Sequence, residues 1–342
     1  MKPEQAERFL IEELFKKTQD KSILEKIKLD EIDKLTGDAS TRRYYRLFTS
    51  QGTFVVCLDN PFTESAETHP FLSVQQFLEK NKVKVPAILD HNLSRGYLLQ
   101  EDLGNVTLLH HLSSITSVEE EFHIYKKIVD QLLELHRIPQ TSVANPNLFK
   151  LKFDLQKYMD ETRFTFKYFL NFFSKIQDEN IVSELETLFE PIMQRLASQK
   201  MVITHRDFHS RNIMVKGDEF IFIDFQDARW GIPQYDLVSL LEDCYYDLNE
   251  ENRQKLKDYY FDNLGSSVLG QSREEFESFY QDMLIQRVFK AVGSFCYIYN
   301  WRKDDRYLKY IGFAMEKIRK VMMDNPRYKP LKKKLFEHYY AN

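Results

Sequence analysis

The chain has 342 residues, of which 43% are hydrophobic and 29% are charged, an ordinary balance for a globular protein of about two domains. Its 48 Lys and Arg residues nearly balance 52 Asp and Glu residues, and a formal charge of −4 disfavours nucleic acid as the main partner. Only 10 residues are glycine, which disfavours glycine-rich folds and favours a mostly helical protein.

The three cysteines, Cys57, Cys244 and Cys296, stand far apart and include no C-x-x-C pair. This predicts buried thiols in a reducing compartment, not disulfides or a zinc site. The N-terminal segment is too charged for a signal peptide, and no run of about 18 apolar residues occurs. We therefore expect a cytoplasmic monomer with no membrane partner.

The first hundred residues have the pattern of a mostly antiparallel sheet with one packed helix. The periodic segments are a leading amphipathic helix from about Ala6, a hairpin of 44–48 and 53–58, a helix over 70–80, and strands at 87–89 and 97–100. Before the hairpin stands a turn of small residues whose backbone amides could face a ligand: Gly37, Asp38, Ala39 and Ser40.

Beyond Gly104 helical periodicity dominates, over 122–136, 153–173, 181–197 and from Leu237 to the end. A β-hairpin near 212–224 interrupts it. The sequence thus predicts an α+β fold of two lobes with a cleft between them, a β-rich lobe over 1–104 and a helical lobe over 105–342.

The chemically informative stretch surrounds the turn Lys216-Gly217-Asp218. The strands that flank this turn should pair, which brings Asn212 opposite Asp224, and their side-chain oxygens suit a hard cation such as Mg²⁺. Asp207 lies in the preceding loop, close enough to act on a substrate held by that metal. Phosphoryl transfer needs such a metal and a carboxylate that orients and deprotonates the attacking hydroxyl. Each residue alone would most often be a turn or cap residue, but their order favours phosphoryl transfer.

The segment His205 to Asn212, followed by Ile223-Asp224-Phe225, resembles the catalytic and metal-binding segments of kinase-like phosphotransferases of the aminoglycoside phosphotransferase/choline kinase type. Further stretches resemble a narrower group, the bacterial anomeric kinases of N-acetylmuramate and N-acetylglucosamine in cell-wall recycling. These stretches are 37–44, 98–104, 226–228 with 235–237, and 286–293. The resemblance extends from about Gly37 to about Ile318.

The resemblance implies a role for each matching residue. Asp207 would be the catalytic base, and Asp236 would brace the loop that carries it, from a position that also suits a helix N-cap. The remaining residues would bind ATP and Mg²⁺: Asn212 and Asp224 the metal, Gly37, Asp38, Ala39 and Ser40 the phosphates, and Glu101 to Leu103 the adenine.

One feature departs from the kinase pattern. Kinases place a lysine in the third strand to hold the phosphates, whereas residues 54–58 contain none. The positive charge could come from Arg43, or from Arg42 or Arg46, although each could equally lie on a solvated strand face. Alternatively, the chain is a weak kinase or a nucleotide-binding pseudokinase, which the intact catalytic and metal positions disfavour.

The acceptor should lie beside Asp207, where planar polar groups could bind sugar hydroxyls and amides and an arginine could bind a lactyl carboxylate. Basic residues in the loop favour an amino sugar over a polycationic aminoglycoside, and choline ranks lower. A helical interaction protein with an accidental motif is the remaining alternative. The candidates, each of which could instead form a surface ion pair, are Glu161, Arg163, Arg206, His209, Arg211, Gln226 and Asp227.

Overall fold

The computed structural model describes residues 3–21, 27–35, 42–143, 145 and 148–340. These residues divide into two units, one of Met1–Val106 with Met214–Gln226 and the other of Thr107–Ile213 with Asp227–Asn342. The predicted phosphate loop, Gly37 to Ser40, lies outside the described residues.

Within those residues the chain forms nine strands and twelve α-helices. The strands are β1 (Leu29–Leu35), β2 (Arg43–Thr49), β3 (Gly52–Leu58), β4 (Ile88–Asn92), β5 (Tyr97–Glu101), β6 (Val202–Thr204), β7 (Ile213–Lys216), β8 (Glu219–Phe222) and β9 (Arg229–Gly231). The helices are α1 (Pro3–Asp20), α2 (Pro70–Lys80), α3 (Leu108–Leu112), α4 (Val118–His136), α5 (Leu155–Thr165), α6 (Glu179–Ala197), α7 (Gln234–Leu241), α8 (Glu250–Leu264), α9 (Ser266–Leu269), α10 (Arg273–Arg302), α11 (Ile311–Asp324) and α12 (Lys329–Tyr340).

The first unit is built on an antiparallel sheet, which for the described residues has the strand order β1-β2-β3-β5-β4. Every second residue of β2 and β3 packs into one core with residues of α1, because successive side chains of a strand point to opposite faces. The resulting core includes Ile11, Phe15, Tyr45, Leu47, Val56 and Leu99, all nearly inaccessible to solvent. The predicted sheet and hairpin are confirmed.

The hairpin of β7 and β8 extends the first unit. Its turn contains Gly217 at φ 61°, a left-handed conformation that glycine adopts without steric cost. Met214 and Ile221 pack against Leu103, and the Val215 amide donates to the Val106 carbonyl at 2.8 Å. The predicted hairpin near 212–224 is therefore confirmed.

The second unit is mainly helical, as expected, and α10 runs through its core. This helix of 30 residues packs against α5, α7 and α11. Gly293 allows a close approach to α5, because a Cβ there would lie 2.7 Å from the Thr165 Cα. None of the helices in the described part of the chain has both the length and the apolarity that crossing a bilayer requires. α10 thus fixes the positions of side chains deep inside the unit.

Candidate active site

The loop between β6 and β7 carries Asp207 and is fixed through its backbone. Arg206 has a φ of 83°, unusual for a residue with a side chain, which turns the chain sharply just before Asp207. The buried carboxylate of Asp236 accepts hydrogen bonds from the amides of His205 at 2.6 Å and Arg206 at 2.9 Å. The predicted bracing role of Asp236 is confirmed.

The predicted N-cap role of Asp236 is wrong. The residue lies inside the first turn of α7, whose N-cap position is Pro233, so its carboxylate bonds to the loop and does not cap its own helix. His136 Nε2 lies 3.2 Å from the same carboxylate, and the Tyr260 hydroxyl bonds to His136 Nδ1. All three side chains are buried, so a polar chain from α4 and α8 supports the loop from behind.

Three cations surround the Asp207 carboxylate. Lys290 Nζ lies 3.1 Å from Oδ1, Arg287 Nη2 lies 3.5 Å from Oδ1, and Arg206 Nη1 lies 3.7 Å from Oδ2. Burial alone would raise the pKa of Asp207, but Lys290, Arg206 and Arg287 together hold that pKa well below its usual range. Asp207 is therefore ionised at neutral pH and able to accept a hydrogen bond from a hydroxyl.

A cavity of about 110 Å³ opens beside Asp207 within the second unit. Its polar lining comes from α7, the segment after it, α10 and the loop, and includes His209, Ser239, Glu242, Asp243, Arg287, Lys290 and Ser294. His209 Nδ1 is buried with no hydrogen-bond partner among the described residues. Because buried polar atoms are normally paired, this nitrogen offers a hydrogen bond to a bound molecule or to water.

Besides Asp207, the cavity wall has two acidic residues, Glu242 and Asp243, and both are engaged by protein groups. Glu242 accepts hydrogen bonds from Lys317 Nζ at 3.1 Å and from the Tyr280 hydroxyl at 3.0 Å. Asp243 accepts from the backbone amide of Ser210 at 2.9 Å and from the hydroxyl of the same residue. Lys317 balances the charge of Glu242, and hydrogen bonds from Ser210 occupy Asp243. A cationic ligand in the cavity would therefore gain little from these two carboxylates.

Glu161 and Arg163, both predicted at the acceptor, differ in their surroundings. Glu161 is buried and accepts a hydrogen bond from Gln286 at 3.0 Å. Burial raises the pKa of this carboxyl, but Lys290 and other cations outweigh that effect and bring the pKa below its usual value. Arg163 is about half exposed and forms an ion pair with Glu186. The structure therefore places Glu161, but not Arg163, among the groups around Lys290.

The remaining predicted acceptor residues lie on or near the catalytic loop. The Arg206 side chain pairs with Asp227. The Arg211 guanidinium lies over the rings of Tyr245 and Tyr307, 5.1 Å from each centroid. These aromatic rings beside the cavity thus already hold a cation of the protein.

The predicted metal ligands belong to different units, Asn212 to the second and Asp224 to the first. Asn212 Nδ2 donates to the Asp207 carbonyl at 2.9 Å, which ties this side chain to the catalytic loop. Asp224 has a φ of 65°, a strained conformation of the kind found at functional sites, and it accepts a hydrogen bond from the predicted acceptor residue Gln226 at 2.6 Å. An amide oxygen and a carboxylate fit Mg²⁺, and their joint role stays a prediction.

The predicted adenine-binding segment begins where β5 ends. The Glu101 carboxylate accepts hydrogen bonds from the Ala87 amide and from Lys216 Nζ, both at 2.9 Å, and Leu103 packs against the β7–β8 hairpin. The three candidate phosphate-binding arginines each pair with a carboxylate in the first unit: Arg42 with Asp59 at 2.8 Å, Arg43 with Glu7 at 2.6 Å, and Arg46 with Asp102 at 2.7 Å.

Arg287 and Lys290 are the site residues that sequence reasoning missed. They lie within the stretch 286–293, which resembles the family, but the resemblance assigns no role to either residue. Lys290 reaches Asp207 from 83 residues along the chain, so no local motif joins the two. The sequence pattern that could have identified them is the spacing of residues 287, 290 and 294, which places three polar side chains on one face of a helix.

A family model described as "Phosphotransferase enzyme family" (APH) matches residues 31–273. A relative from Neisseria meningitidis serogroup B, named N-acetylmuramate/N-acetylglucosamine kinase, is 29% identical over 296 residues, which cover 83% of each chain.

Solved structures agree in fold. Aminoglycoside phosphotransferase APH(2'')-Ib matches with a TM-score of 0.59 at 17% identity, over 89% of this chain and 97% of that one. The choline kinase LicA from Streptococcus pneumoniae matches with a TM-score of 0.57 at 13% identity, over 90% of this chain and 98% of that one. Because the family model spans most of the sequence, the chain belongs to the APH phosphotransferase family and is a kinase that acts on a hydroxyl acceptor.

Proposed function

We propose that this kinase transfers the γ-phosphoryl group of ATP to the anomeric hydroxyl of N-acetylmuramate or N-acetylglucosamine, in peptidoglycan recycling. The observation that carries the proposal is the cavity beside Asp207, whose wall presents cations and an unpaired imidazole nitrogen. Relatives named for this activity support it.

In the proposed reaction Asp207 accepts a hydrogen bond from the C1 hydroxyl of the sugar and takes its proton as the oxygen attacks phosphorus. His209 Nδ1 is placed to bond a second hydroxyl or the acetamido group. Burial and the nearby Arg287 lower the pKa of His209 to about 3, so this imidazole is neutral and able to accept or donate. The carboxylate and the imidazole together would orient the sugar.

The nucleotide would bind through the residues that the family resemblance implies. The phosphates would lie under Gly37 to Ser40 and the adenine against Glu101 and Leu103, in the lobe over 1–104, while the acceptor lies in the lobe over 105–342. Asn212 and Asp224 would hold Mg²⁺, which when bound neutralises the phosphate charge.

Two other acceptor classes known from structural neighbours are less favoured. An aminoglycoside carries several positive charges, whereas Glu242 and Asp243 are already engaged by protein groups and Arg287 and Lys290 add positive charge. Choline would need an open aromatic cage, and the rings beside the cavity stack on Arg211. An amino sugar, neutral or anionic, fits this lining better.

The decisive experiment measures ATP consumption with Mg²⁺ against N-acetylmuramate, N-acetylglucosamine, kanamycin and choline, with the product identified by phosphorus NMR. An anomeric phosphate on either acetylated sugar supports the proposal. Turnover with kanamycin or choline alone would contradict the proposed substrate while leaving the reaction class intact.

A matched variant tests the base. Asp207→Asn should lower kcat by about 10²- to 10⁴-fold, the usual contribution of a positioned base, while ATP binding persists. A kcat above a tenth of wild type would show that Asp207 is not the base. ATP binding with no turnover of any acceptor by the wild-type protein would favour the pseudokinase alternative.

A further inference from the structure

The source of the positive charge at the transferred phosphoryl group is open, because β3 has no lysine. The nearby arginines of the first unit each pair with a carboxylate, and those ion pairs are short and partly buried. Each of these arginines balances a carboxylate that takes no part in the proposed proton transfer and so stays charged, which leaves the arginine with less net attraction for phosphate. The cations that surround Asp207 are the other candidates.

Lys290 has the position and the chemistry for this task. Its ammonium lies 3.1 Å from Asp207 Oδ1, its side chain is 15% exposed, and it lines the cavity beside that carboxylate. α10 is buried on most sides and anchored to α5 through Gly293, so the backbone of Lys290 is firmly placed. The four-carbon side chain can still rotate, unlike the forked guanidinium of Arg287, whose Nε is held by the Ser239 hydroxyl at 2.8 Å.

We propose that Lys290 is a catalytic residue that neutralises the transferred phosphoryl group, the task of the strand lysine in other kinases. During transfer the bond from acceptor oxygen to phosphorus forms, the bond from phosphorus to the bridging oxygen of ADP breaks, and the acceptor proton passes to Asp207. Protonation removes the negative charge that holds Lys290, so its ammonium moves onto the phosphoryl oxygens. This inference rests on the proposed function only in taking Asp207 as the proton acceptor.

The test compares Lys290→Met, which removes the charge, with Lys290→Gln, which keeps a hydrogen-bond donor to Asp207, and Lys290→Arg, which keeps the charge. Lys257→Met is the matched control, because the Lys257 side chain is also largely buried, 10% exposed, and pairs with Glu277 at 2.8 Å, away from the cavity. Each variant is assayed for kcat and for binding of MgADP alone and MgADP with aluminium fluoride, a mimic of the phosphoryl group in transfer.

We expect Lys290→Met and Lys290→Gln to lower kcat by about 10²- to 10³-fold, as loss of one preorganised charge-stabilising group does elsewhere. MgADP affinity should stay within about twofold of wild type, while the gain in affinity from aluminium fluoride disappears. Lys290→Arg should retain at least about tenfold more activity than Lys290→Met, and Lys257→Met should keep wild-type kcat.

Three results would overturn the proposal: a kcat of Lys290→Gln within fivefold of wild type, a parallel loss of MgADP and fluoride-complex affinity, or a wild-type protein that gains nothing from aluminium fluoride. The first of these results would show that Lys290 only balances the charge of Asp207. ATP hydrolysis without sugar is measured as well, with water as the acceptor. If no amino sugar is phosphorylated, the proposed function fails, but the hydrolysis and fluoride measurements still decide the role of Lys290.

Discussion

Asp236→Asn is the most informative single substitution outside the cavity. The native carboxylate is fully buried and accepts two backbone amides, one on each oxygen, from His205 and Arg206. An asparagine keeps one acceptor oxygen and presents an NH₂ group to the other amide, so two donors face each other in a buried place. The same bonds hold Arg206 at its positive φ, which the loop would otherwise relax.

The magnitude follows from these contacts. An unsatisfied buried amide costs about 1–3 kcal/mol, and losing the charge weakens the remaining bond, so we expect a loss of roughly 2–4 kcal/mol in the free energy of unfolding. For a unit of this size such a loss lowers Tm by roughly 5–15 °C. Because Asp207 directly follows Arg206, displacement of the loop by about 1 Å should lower kcat by about 10²-fold.

Thermal unfolding, kcat and amide hydrogen exchange at residues 205 and 206 would measure these effects together. Asp227→Asn is the matched control for stability, because Asp227 bonds the Arg206 side chain at an exposed position and should change Tm little. If Asp236→Asn melted within 1 °C of wild type and kept native protection at both amides, the bracing argument would be refuted.

Three further variants test packing and electrostatics. Gly293→Ala should lose about 1–3 kcal/mol and reduce kcat, since its Cβ would lie 2.7 Å from the Thr165 Cα and clash with the Thr165 side chain, and unchanged Tm and kcat would contradict this. Asp282→Ala should lose about 1–3 kcal/mol, as urea unfolding would measure, because the buried Tyr328 hydroxyl loses the acceptor that lies 2.8 Å away, while Arg195 and Arg327 are partly exposed to water. The pKa of His209 is about 3 in the folded protein and about 6.5 in the unfolded chain. Between about pH 3 and 6.5 the unfolded chain therefore binds more protons, so the free energy of unfolding falls as the pH falls through about 6.5. From pH 7.5 to 5.5 the loss is about 1.4 kcal/mol, and His209→Gln should remove it; an equal pH dependence in both proteins would refute the assignment.

The sequence predicted the elements that carry a strong local pattern. The β2–β3 and β7–β8 hairpins consist of runs of aromatic, β-branched and other apolar residues on either side of short turns, and α2 and α4 repeat apolar residues at helical spacing. The pairing of β6 with β9 was not predicted, because each strand has three residues and they meet from distant parts of the chain. The π-helical turn Phe166–Phe173 lies in a nearly continuous apolar run, where periodicity does not distinguish helix types.

Site prediction reached its limit for a different reason. Asp207, Asn212 and Asp224 occur within one short stretch of sequence around a hairpin, so their spacing along the chain is enough to relate them. Lys290 lies on a helix buried on most sides, whose hydrophobic pattern marks no preferred face, and the direction of its side chain depends on packing against α5 and α7. Only the tertiary structure relates such a residue to the loop.

The path of the chain between its two units has a practical consequence. Because residues 214–226 belong to the first unit and both neighbouring segments belong to the second, no single cut in the sequence yields two complete pieces. A fragment over 107–342 would carry the β7–β8 hairpin without Leu103 and the Val106 carbonyl, leaving Met214 and Ile221 exposed to aggregation. Split-protein reporters and single-lobe expression would therefore need the hairpin grafted back onto the first unit.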